Sequence, residues 1–468
     1  MAEHGIRFSR CIKRRPYNFE AMLRKLRIRN FRSLRDTGEL EVRRLNLLVG
    51  PNSSGKTSLF KIFLALKQTV EGQPISAPLQ TEGYFEKILL QPKGFLERLS
   101  LRPKGYFANI GNYREFVWNH EEQRKVGLKV IEDNFEFAIG WGVSISDEKE
   151  GNIYLDHVTV SFYKDDQKHI SEMPSPREEG IYRVKIDIER DGKMNIEGLK
   201  ITGDLKISIG GQETHIKYDE LTKNMPNIIS TLILIGSIFN FTRRIFYIAP
   251  LRLEPQRVYE SYGIEPNYVG KKGEQVIDAL IAHRDELEPW IKEWLERFGM
   301  AKDFKVEEIA KGTRRFQIML HDSHIPKLEA TLADVGFGIS QVLPILVQAK
   351  LLPKDAIFMV EQPEIHLHPK AQAAMGDFLI DVALEGKKTL LVETHSDLVI
   401  ARIANRIAEG KISHKDVMVF YFHPQKDGTK ILQIEFDEDG IPTHEFPEGF
   451  LAEVSDETAR HFDILSRR

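Results

Sequence analysis

The chain has 468 residues, with 66 lysines and arginines against 69 aspartates and glutamates, which gives a formal net charge of −3. Hydrophobic residues make up 41% of the sequence and charged residues 29%, which indicates a globular protein and excludes a disordered or collagen-like chain. The one cysteine, Cys11, excludes an internal disulfide and a zinc hook, and it favours a reducing compartment.

The N-terminal residues 1–22 form a basic extension without the apolar core of a signal peptide. The longest apolar stretch, residues 228–241, is shorter than the about 20 residues of a membrane-spanning helix and contains polar residues. It therefore predicts a buried helix. These features favour a cytoplasmic protein that makes no contact with a membrane.

The remaining elements follow a change of pattern along the chain. Residues 23–50 alternate as strands do and end in a glycine turn, and a helix is predicted from Ser58 to Leu66. Residues 70–222 contain short alternating segments, which predict a β-rich insertion rather than a coiled coil. From residue 223 to 420, apolar strands such as AIFMVE and TLLVET alternate with helices, and this predicts a largely parallel sheet with helices on its faces.

The strongest motif in the sequence is GPNSSGKT, from Gly50 to Thr57. It lies between an apolar strand and a helix, which is the setting of a P-loop whose backbone N–H groups surround phosphates. Lys56 is predicted to reach the β- and γ-phosphates, and the Thr57 hydroxyl to bind Mg²⁺. The motif thus predicts a site for ATP and Mg²⁺. The residues expected to contact the nucleotide are Asn52, Ser53, Ser54, Gly55, Lys56, Thr57 and Ser58.

Two further apolar strands end in polar side chains suited to the same site. The strand AIFMVE ends at Glu361, where a carboxylate can hold Mg²⁺ through its water shell. The strand TLLVET precedes His395, whose imidazole is expected to sense the γ-phosphate. The order of the three motifs favours this role over a purely structural histidine.

With these motifs in view, the sequence resembles the ABC-type ATPase heads of the overcoming-lysogenization-defect (OLD) group and related phage-defence ATPases. The resemblance covers about residues 23–67 and 223–420. EQPEIHLHP resembles their Walker B and D-loop region, and ETHSD their switch-histidine motif. LADVGFGISQVLPIL resembles their signature motif, with Gly338, Ser340 and Gln341 at the working positions.

The resemblance implies a fold and a mode of assembly. The fold is α/β, an ABC-type P-loop head with a mixed or parallel sheet, divided into residues 23–69 and 223–420 by the β-rich insertion. The assembly is a head-to-tail homodimer or higher homo-oligomer, in which the signature of one subunit completes the nucleotide site of another. The segments 247–259 and 437–450 also resemble a subgroup with a small C-terminal domain, here expected at residues 421–468.

The sequence leaves the roles of several residues open. Arg252 is as often a surface or core-edge arginine as a functional one. The segment Gly105 to Phe116 is where a Q-loop equivalent is expected, without a single residue assigned. His366 and His368 lie two residues apart, but an HxH pair on such a turn gives poor metal geometry, so a subunit-contact loop is favoured.

One departure from the family pattern concerns the catalytic base. These ATPases place a second acid directly after the metal-binding carboxylate, whereas this chain has Gln362 there. Glutamine can orient a water molecule but cannot accept its proton, so slow basal hydrolysis is expected. Glu364 remains an alternative base.

The acidic cluster from Glu435 to Asp439 is interpreted as a solvated turn, because the stretch after His395 is shorter than a nuclease domain of about 100 residues. We therefore expect a separate effector protein, a nuclease or toxin, controlled by this chain as the ATPase sensor or scaffold of an anti-phage system such as PARIS. The alternative is a RecF-like repair ATPase that binds DNA as an ATP-dependent dimer. The trigger, DNA or a phage protein, stays open, and residues 70–222 are the expected recognition region.

Overall fold

A computed structural model describes residues 21–71, 101–133, 135–143, 153–162, 185–188, 194–197, 205–209, 212–216, 237–322 and 329–444. The basic extension before residue 21, with Cys11, lies outside the described residues. So do residues 228–236 of the predicted buried helix and residues 445–468 of the expected C-terminal domain.

The strands of the described ranges are numbered in chain order. They are β1 (Leu23–Phe31), β2 (Leu34–Asp36), β3 (Leu40–Glu41), β4 (Leu45–Val49), β5 (Val126–Glu132), β6 (Phe135–Val143), β7 (Ile153–Phe162), β8 (Lys185–Ile188), β9 (Met194–Glu197), β10 (Leu205–Ile209), β11 (Gln212–Ile216), β12 (Ile245–Ile248), β13 (Tyr259–Glu260), β14 (Ala301–Glu308), β15 (Arg315–Asp322), β16 (Glu329–Thr331), β17 (Ile357–Glu361), β18 (Thr389–Glu393), β19 (Val417–Gln425) and β20 (Gly428–Ile434).

The α-helices are numbered in the same way, and residues 237–243 are also helical. They are α1 (Lys56–Glu71), α2 (Tyr113–Phe116), α3 (Val276–Ala282), α4 (Arg284–Arg297), α5 (Phe337–Leu351), α6 (Pro369–Leu384) and α7 (Asp397–Ala408). Helix α1 extends the predicted Ser58–Leu66 helix at both ends. No helix in the described ranges combines the length and apolar character needed to cross a membrane.

The centre of the molecule is a six-stranded sheet in the order β12-β17-β18-β4-β19-β20, parallel except for β20. Strands β4, β12, β17 and β18 are buried along their whole length, as expected for parallel strands covered on both faces. On β4, Leu47 belongs to one hydrophobic core with helices α5 to α7, and Leu48 to a second core with α1. The predicted α/β class with a largely parallel sheet is confirmed.

An antiparallel sheet lies over the α1 side of the central sheet. Its order is β2-β1-β5-β6-β7-β8-β9, with β3 also paired to β1. Strands β5 and β6 come from the stretch 70–222, yet β5 pairs with β1 along most of its length. Part of residues 70–222 thus belongs to the same sheet as β1, because β5 forms its backbone hydrogen bonds with β1. The division into domains otherwise stays a prediction.

The predicted boundary at residue 420 does not match the central sheet. It falls inside β19, which pairs with β4 from Val417 to Tyr421. Strand β20 then returns antiparallel to β19, so the central sheet extends to Ile434. A separate four-stranded antiparallel sheet, β13-β15-β14 with β16 on β15, packs its buried Phe304 and Ile318 into the core beside α4 and α5.

Candidate nucleotide-binding and catalytic site

The turn between β4 and α1 needs glycine at two positions. Gly50 has φ 133°, and a Cβ there would lie 2.6 Å from the carbonyl oxygen of Phe422 on β19. Gly55 has φ 103°, and a Cβ there would collide with the Ser33 hydroxyl. Side chains at either position would be strained and would clash, so the sequence folds into this tight turn because both residues are glycine.

The Lys56 side chain folds back over this turn. Its Nζ donates to the carbonyl oxygens of Gly50 and Pro51, each at 2.8 Å. Lys56 is almost fully buried, and this desolvation lowers the pKa of its ammonium group, while the charge of Glu393 acts in the opposite direction. The ammonium is thus held at the mouth of the loop where phosphates are expected.

The other predicted nucleotide contacts are divided between surface and interior. Asn52 and Ser53 are exposed, whereas Ser54 and Ser58 are buried. The Ser54 carbonyl oxygen accepts a hydrogen bond from the Thr429 hydroxyl at 2.6 Å, which ties the loop to β20. The exposed residues can therefore reach a ligand by their side chains, and the buried ones by their backbone.

Two buried glutamates lie side by side at the carboxyl edge of the parallel sheet. Glu361 ends β17, Glu393 ends β18, and the two residues are direct partners in the strand register. The Tyr247 hydroxyl on β12 donates to Glu361 Oε1 at 2.8 Å. Burial, together with the charge of Glu393, raises the pKa of Glu361 to about 7, and burial also raises the pKa of Glu393. The edge therefore concentrates negative charge that a cation would stabilise.

Glu393 is an acid of this site that the sequence pattern did not single out. The Thr57 hydroxyl donates to Glu393 Oε2 at 3.1 Å, so the P-loop meets this acid rather than Glu361. A signal was present, because Glu393 ends a buried apolar strand in the same way as Glu361. The order of the motifs pointed to the neighbouring His395 instead.

The turn after β17 carries the candidate catalytic groups. Gln362 has φ 46°, and its N–H donates to the carbonyl oxygen of Glu393 at 2.7 Å. Glu364 Oε1 accepts the His395 N–H at 2.7 Å, while its buried Oε2 has no hydrogen-bond partner among the residues that the structure describes. Burial raises the pKa of Glu364, and desolvation and the charge of Lys56 lower the pKa of His395. The structure thus brings Gln362, Glu364 and His395 together beside the two acids.

Arg252, which the sequence left open, is buried behind this turn. Its guanidinium donates to the carbonyl oxygens of Glu361 at 2.7 Å and Gln362 at 3.2 Å. Its own N–H donates to Gln341 Oε1 on α5 at 3.3 Å. Burial lowers the pKa of Arg252 to about 10, which leaves it charged at neutral pH. It is therefore a link between the signature helix and the turn after β17.

The signature residues surround the start of α5. Ser340 Oγ donates to the carbonyl oxygen of Phe337 at 2.7 Å, and Phe337 as a whole residue is 42% exposed. Gly338 packs against the D-loop, where a Cβ would lie 3.0 Å from the His366 carbonyl oxygen. Gln341 is 1% exposed and its side chain forms hydrogen bonds inside its own chain, so its predicted contact with the nucleotide of a second subunit stays a prediction.

The segment from Gly105 to Phe116 packs on the far end of α1 and on the loop after β13. Ala108 donates its N–H to Gln68 Oε1 at 3.0 Å, and Lys271 donates its N–H to the Tyr106 hydroxyl at 3.1 Å. The start of α2 is closed by Asn112 and Glu115, whose side chains cap each other's backbone N–H groups. These contacts do not distinguish any one residue of the segment as the Q-loop equivalent.

No three histidine, cysteine, aspartate or glutamate side chains converge as metal ligands in the part of the chain that the structure describes. His368 instead caps α6, with its Nδ1 accepting the Lys370 N–H at 3.5 Å. A P-loop Mg²⁺ takes most of its ligands from phosphates and water and needs one or two protein oxygens. The hydroxyl of Thr57 and the carboxylate of Glu361 are hard oxygen donors that fit such an ion, and Glu393 accepts the proton of that hydroxyl.

The family comparison agrees with this geometry. The model of the AAA ATPase domain matches residues 22–231 and 267–400, well over half of the chain. The chain belongs to the AAA ATPase domain family. Membership in this family implies nucleotide binding and ATPase activity, and the P-loop of this AAA ATPase lies within the first matched segment.

Solved structures similar to this AAA ATPase are SMC head domains. One is bound to the C-winged helix domain of ScpA, with TM-score 0.38 and 10% identity over 89% of this chain and 98% of that one. The head from Thermotoga maritima gives 0.35 and 9% over 88% and 98%. A head with an extended coiled coil, bound to the C-terminal domain of ScpA derived from Pyrococcus furiosus, gives 0.36 and 9% over 89% and 96%. These low scores carry no argument beyond the family match. A search of curated proteins gave no match.

Proposed function

We propose that this AAA ATPase binds ATP and Mg²⁺ at its P-loop and hydrolyses ATP slowly within a head-to-tail homodimer. The observation that carries the proposal is the position of Lys56 and Thr57 at the carboxyl edge of the parallel sheet, where Thr57 contacts Glu393 and Glu361 is the neighbour of Glu393 in the strand register. A lysine, a hydroxyl and a carboxylate at this edge are the groups that bind and neutralise a nucleotide triphosphate with its metal ion.

Each residue of the site has a proposed role. Lys56 binds the β- and γ-phosphates, Thr57 and Glu361 hold Mg²⁺, and His395 contacts the γ-phosphate. Gln362 orients the attacking water. Because Gln362 cannot take the proton of that water, turnover is slow. Glu364 is the alternative base, and its support is a buried Oε2 for which the described part of the chain provides no hydrogen-bond partner.

The dimer is supported by the surface around the signature motif. Gly336 and Phe337 are exposed at the start of the 15-residue helix α5, so the first N–H groups of that helix can face an anion. A γ-phosphate bound to the P-loop of a second copy is the anion that fits. ATP would then favour the closed dimer by binding it more tightly than the separate subunits.

The experiment that tests this function is ATP turnover by the purified chain, with Lys56→Ala as the blank. We expect slow phosphate release that the substitution abolishes, and a dimer by light scattering in the presence of ATP and Mg²⁺. Turnover equal to that of the blank together with no nucleotide binding would overturn the proposal.

For the biological role, we propose the ATPase sensor or scaffold of a prokaryotic anti-phage system that controls a separate nuclease or toxin. The support is the resemblance of the motifs to OLD-group ATPases. The alternative is a RecF-like DNA-repair ATPase, supported by the basic residues Arg24, Lys25, Arg27 and Arg29 on β1. Asp133, Glu39 and Asp36 form ion pairs with these side chains, which weakens a DNA surface there.

Two measurements distinguish these roles. ATP-dependent co-purification with the product of a neighbouring open reading frame would favour defence. DNA binding that needs ATP and weakens steeply with salt would favour repair, because each phosphate contact releases counterions.

A further inference from the structure

Two neighbouring acids at the sheet edge have different hydroxyl partners. Glu361 and Glu393 are paired in the register of β17 and β18, and each is 5% exposed. The Tyr247 hydroxyl donates to Glu361, whereas the Thr57 hydroxyl donates to Glu393, at 3.1 Å from Oε2 and 3.5 Å from Oε1. The P-loop threonine is therefore connected to the acid on the strand next to β4, not to the one on the more distant β17.

The direction of the Thr57 hydroxyl matters for a cation. A hydroxyl group has one proton and two acceptor lone pairs, and the proton rotates toward the strongest nearby acceptor. With the proton on the Glu393 side, the lone pairs of Thr57 Oγ1 point away from that carboxylate. An oxygen that donates its proton to a carboxylate is also a better ligand, because the carboxylate increases its negative charge.

Thr57 lies next to the lysine that is expected to bind the phosphates. Thr57 is the second residue of α1, one residue after Lys56, whose ammonium is held over the loop by the Gly50 and Pro51 carbonyl oxygens. The oxygen of Thr57 and the Lys56 ammonium thus belong to the same turn. A cation bound here together with a phosphate chain would be held by the Thr57 oxygen while Glu393 keeps the hydroxyl proton.

We propose that Glu393 is a positioning residue for Mg²⁺, one that accepts the Thr57 hydroxyl proton and so turns the Thr57 lone pairs toward the metal ion. The inference rests on the proposed ATP- and Mg²⁺-binding function and goes beyond it, because Glu393 acts through Thr57 and not as a direct ligand. Glu361, oriented by Tyr247, is then the separate carboxylate that faces the water shell of the ion.

Because Glu393 acts through Thr57 and Glu361 does not, their losses should combine differently with the loss of the Thr57 hydroxyl. If Glu393 acts only through the Thr57 hydroxyl, removing the hydroxyl removes the effect of the acid as well. Glu361 acts on its own, so its loss should add to the loss of Thr57. The pair Thr57 and Glu393 and the pair Thr57 and Glu361 are thus two double-mutant cycles with opposite expectations.

The test uses Mn²⁺ as the metal probe, measured by electron paramagnetic resonance on the full chain with the non-hydrolysable analogue AMP-PNP. Binding of AMP-PNP in EDTA is measured separately, so that nucleotide and metal affinity are distinguished. We expect Glu393→Ala to leave metal-free nucleotide affinity within about 2-fold and to lower Mn²⁺ affinity about 10-fold, as loss of a partner behind a metal ligand does. Glu393→Gln keeps an acceptor for the hydroxyl and should lower it less.

The double-mutant cycles decide the mechanism. Thr57→Val with Glu393→Ala should bind Mn²⁺ no more weakly than Thr57→Val alone, whereas Thr57→Val with Glu361→Gln should lose more. Unchanged Mn²⁺ affinity in Glu393→Ala would overturn the inference. Losses of Mn²⁺ affinity that add when Glu393→Ala is combined with Thr57→Val would overturn it too. Neither result would contradict the proposed ATPase function. If Glu393→Ala does not fold, a Glu393→Gln variant whose Mn²⁺ affinity equals that of the unmodified chain would overturn the inference as well. A chain that binds no AMP-PNP at all would overturn the proposed function first.

Discussion

The ring of Phe337 is edge-on to the imidazole of His366, with 5.3 Å between ring centroids and an interplanar angle of 80°. The first residue of the signature helix and the D-loop thus form one surface within a single chain. Both residues are exposed, so the face that a second copy would cover includes a signature residue and a D-loop residue together.

Phe337→Asp tests that surface. We expect the substitution to prevent the ATP-dependent dimer, because it places a charge in an interface that also receives phosphate, while the isolated chain keeps its thermal stability. The measurement is light scattering with Mg²⁺ and AMP-PNP. Leu384→Asp is the matched control, since Leu384 is 43% exposed against 42% for Phe337 and lies at the end of α6. Equal dimerisation of the two variants would contradict the predicted interface.

Gln362→Glu restores a carboxylate directly after Glu361. We expect turnover to rise at least about 10-fold, because a positioned general base contributes about 10² to 10⁴ to a proton-transfer step. The measurement is single-turnover phosphate release, with the same change in a Lys56→Ala background as the control. An unchanged rate would show that our interpretation of position 362 is wrong. Loss of activity in Glu364→Gln would then identify the base.

Arg252→Lys keeps the positive charge and loses the planar fork that reaches two carbonyl oxygens. The turn that holds Gln362 in its left-handed conformation should loosen, so we expect kcat to fall about 10-fold with KM for ATP nearly unchanged. Arg257→Lys is the control, because Arg257 comes from the same segment but forms an exposed pair with Asp334. A change confined to KM would be evidence against a role behind the catalytic turn.

The buried pair of Glu132 and Arg244 predicts a pH dependence of stability. Burial raises the pKa of Glu132 to about 7, from 4.5 for an exposed glutamate. A raised pKa means that the folded state holds the proton more tightly, so this contribution is complete below pH 4.5 and is lost as the pH rises through about 7.

The variant that isolates this effect is Glu132→Gln, which keeps an oxygen acceptor for Arg244 and cannot titrate. The free energy of unfolding of the unmodified chain minus that of the variant should fall by on the order of 2 kcal/mol between pH 5 and pH 8. Urea denaturation at both pH values measures it. Parallel pH profiles of the two proteins would mean that Glu132 does not titrate in this range.

The central sheet could be predicted from the sequence because its strands are apolar runs between turn residues. Strands β17 and β18 lie at the runs AIFMVE and TLLVET, where the sequence predicts them. The pairing of β1 with β5 could not be predicted, because about 100 residues separate the two strands and no local pattern encodes a non-local register. For the same reason the pattern does not reveal that β19, which contains residue 420, pairs with β4.

Part of the candidate site could also be predicted from the sequence. Lys56 and Thr57 follow from a motif with fixed spacing, but the acid that Thr57 contacts is Glu393 rather than the expected Glu361. Glu393 depends on strand register and on the direction of one hydroxyl, which a linear pattern does not contain. Arg252 was undecided because burial and carbonyl partners, rather than residue type, distinguish a linking arginine from a surface one.

Helix α1 begins at the P-loop, and its other end holds the segment from residue 101 to 110. Its 16 residues span about 24 Å, and near its far end Gln68 donates to the Arg102 carbonyl oxygen while Thr69 accepts the Arg102 N–H. A helix of this length is stiff. A small tilt of α1 at the P-loop would therefore displace the segment that is hydrogen-bonded to its other end. A nucleotide that tilted α1 on binding would therefore also move the segment from residue 101 to 110, which lies at the opposite end of the helix from the P-loop.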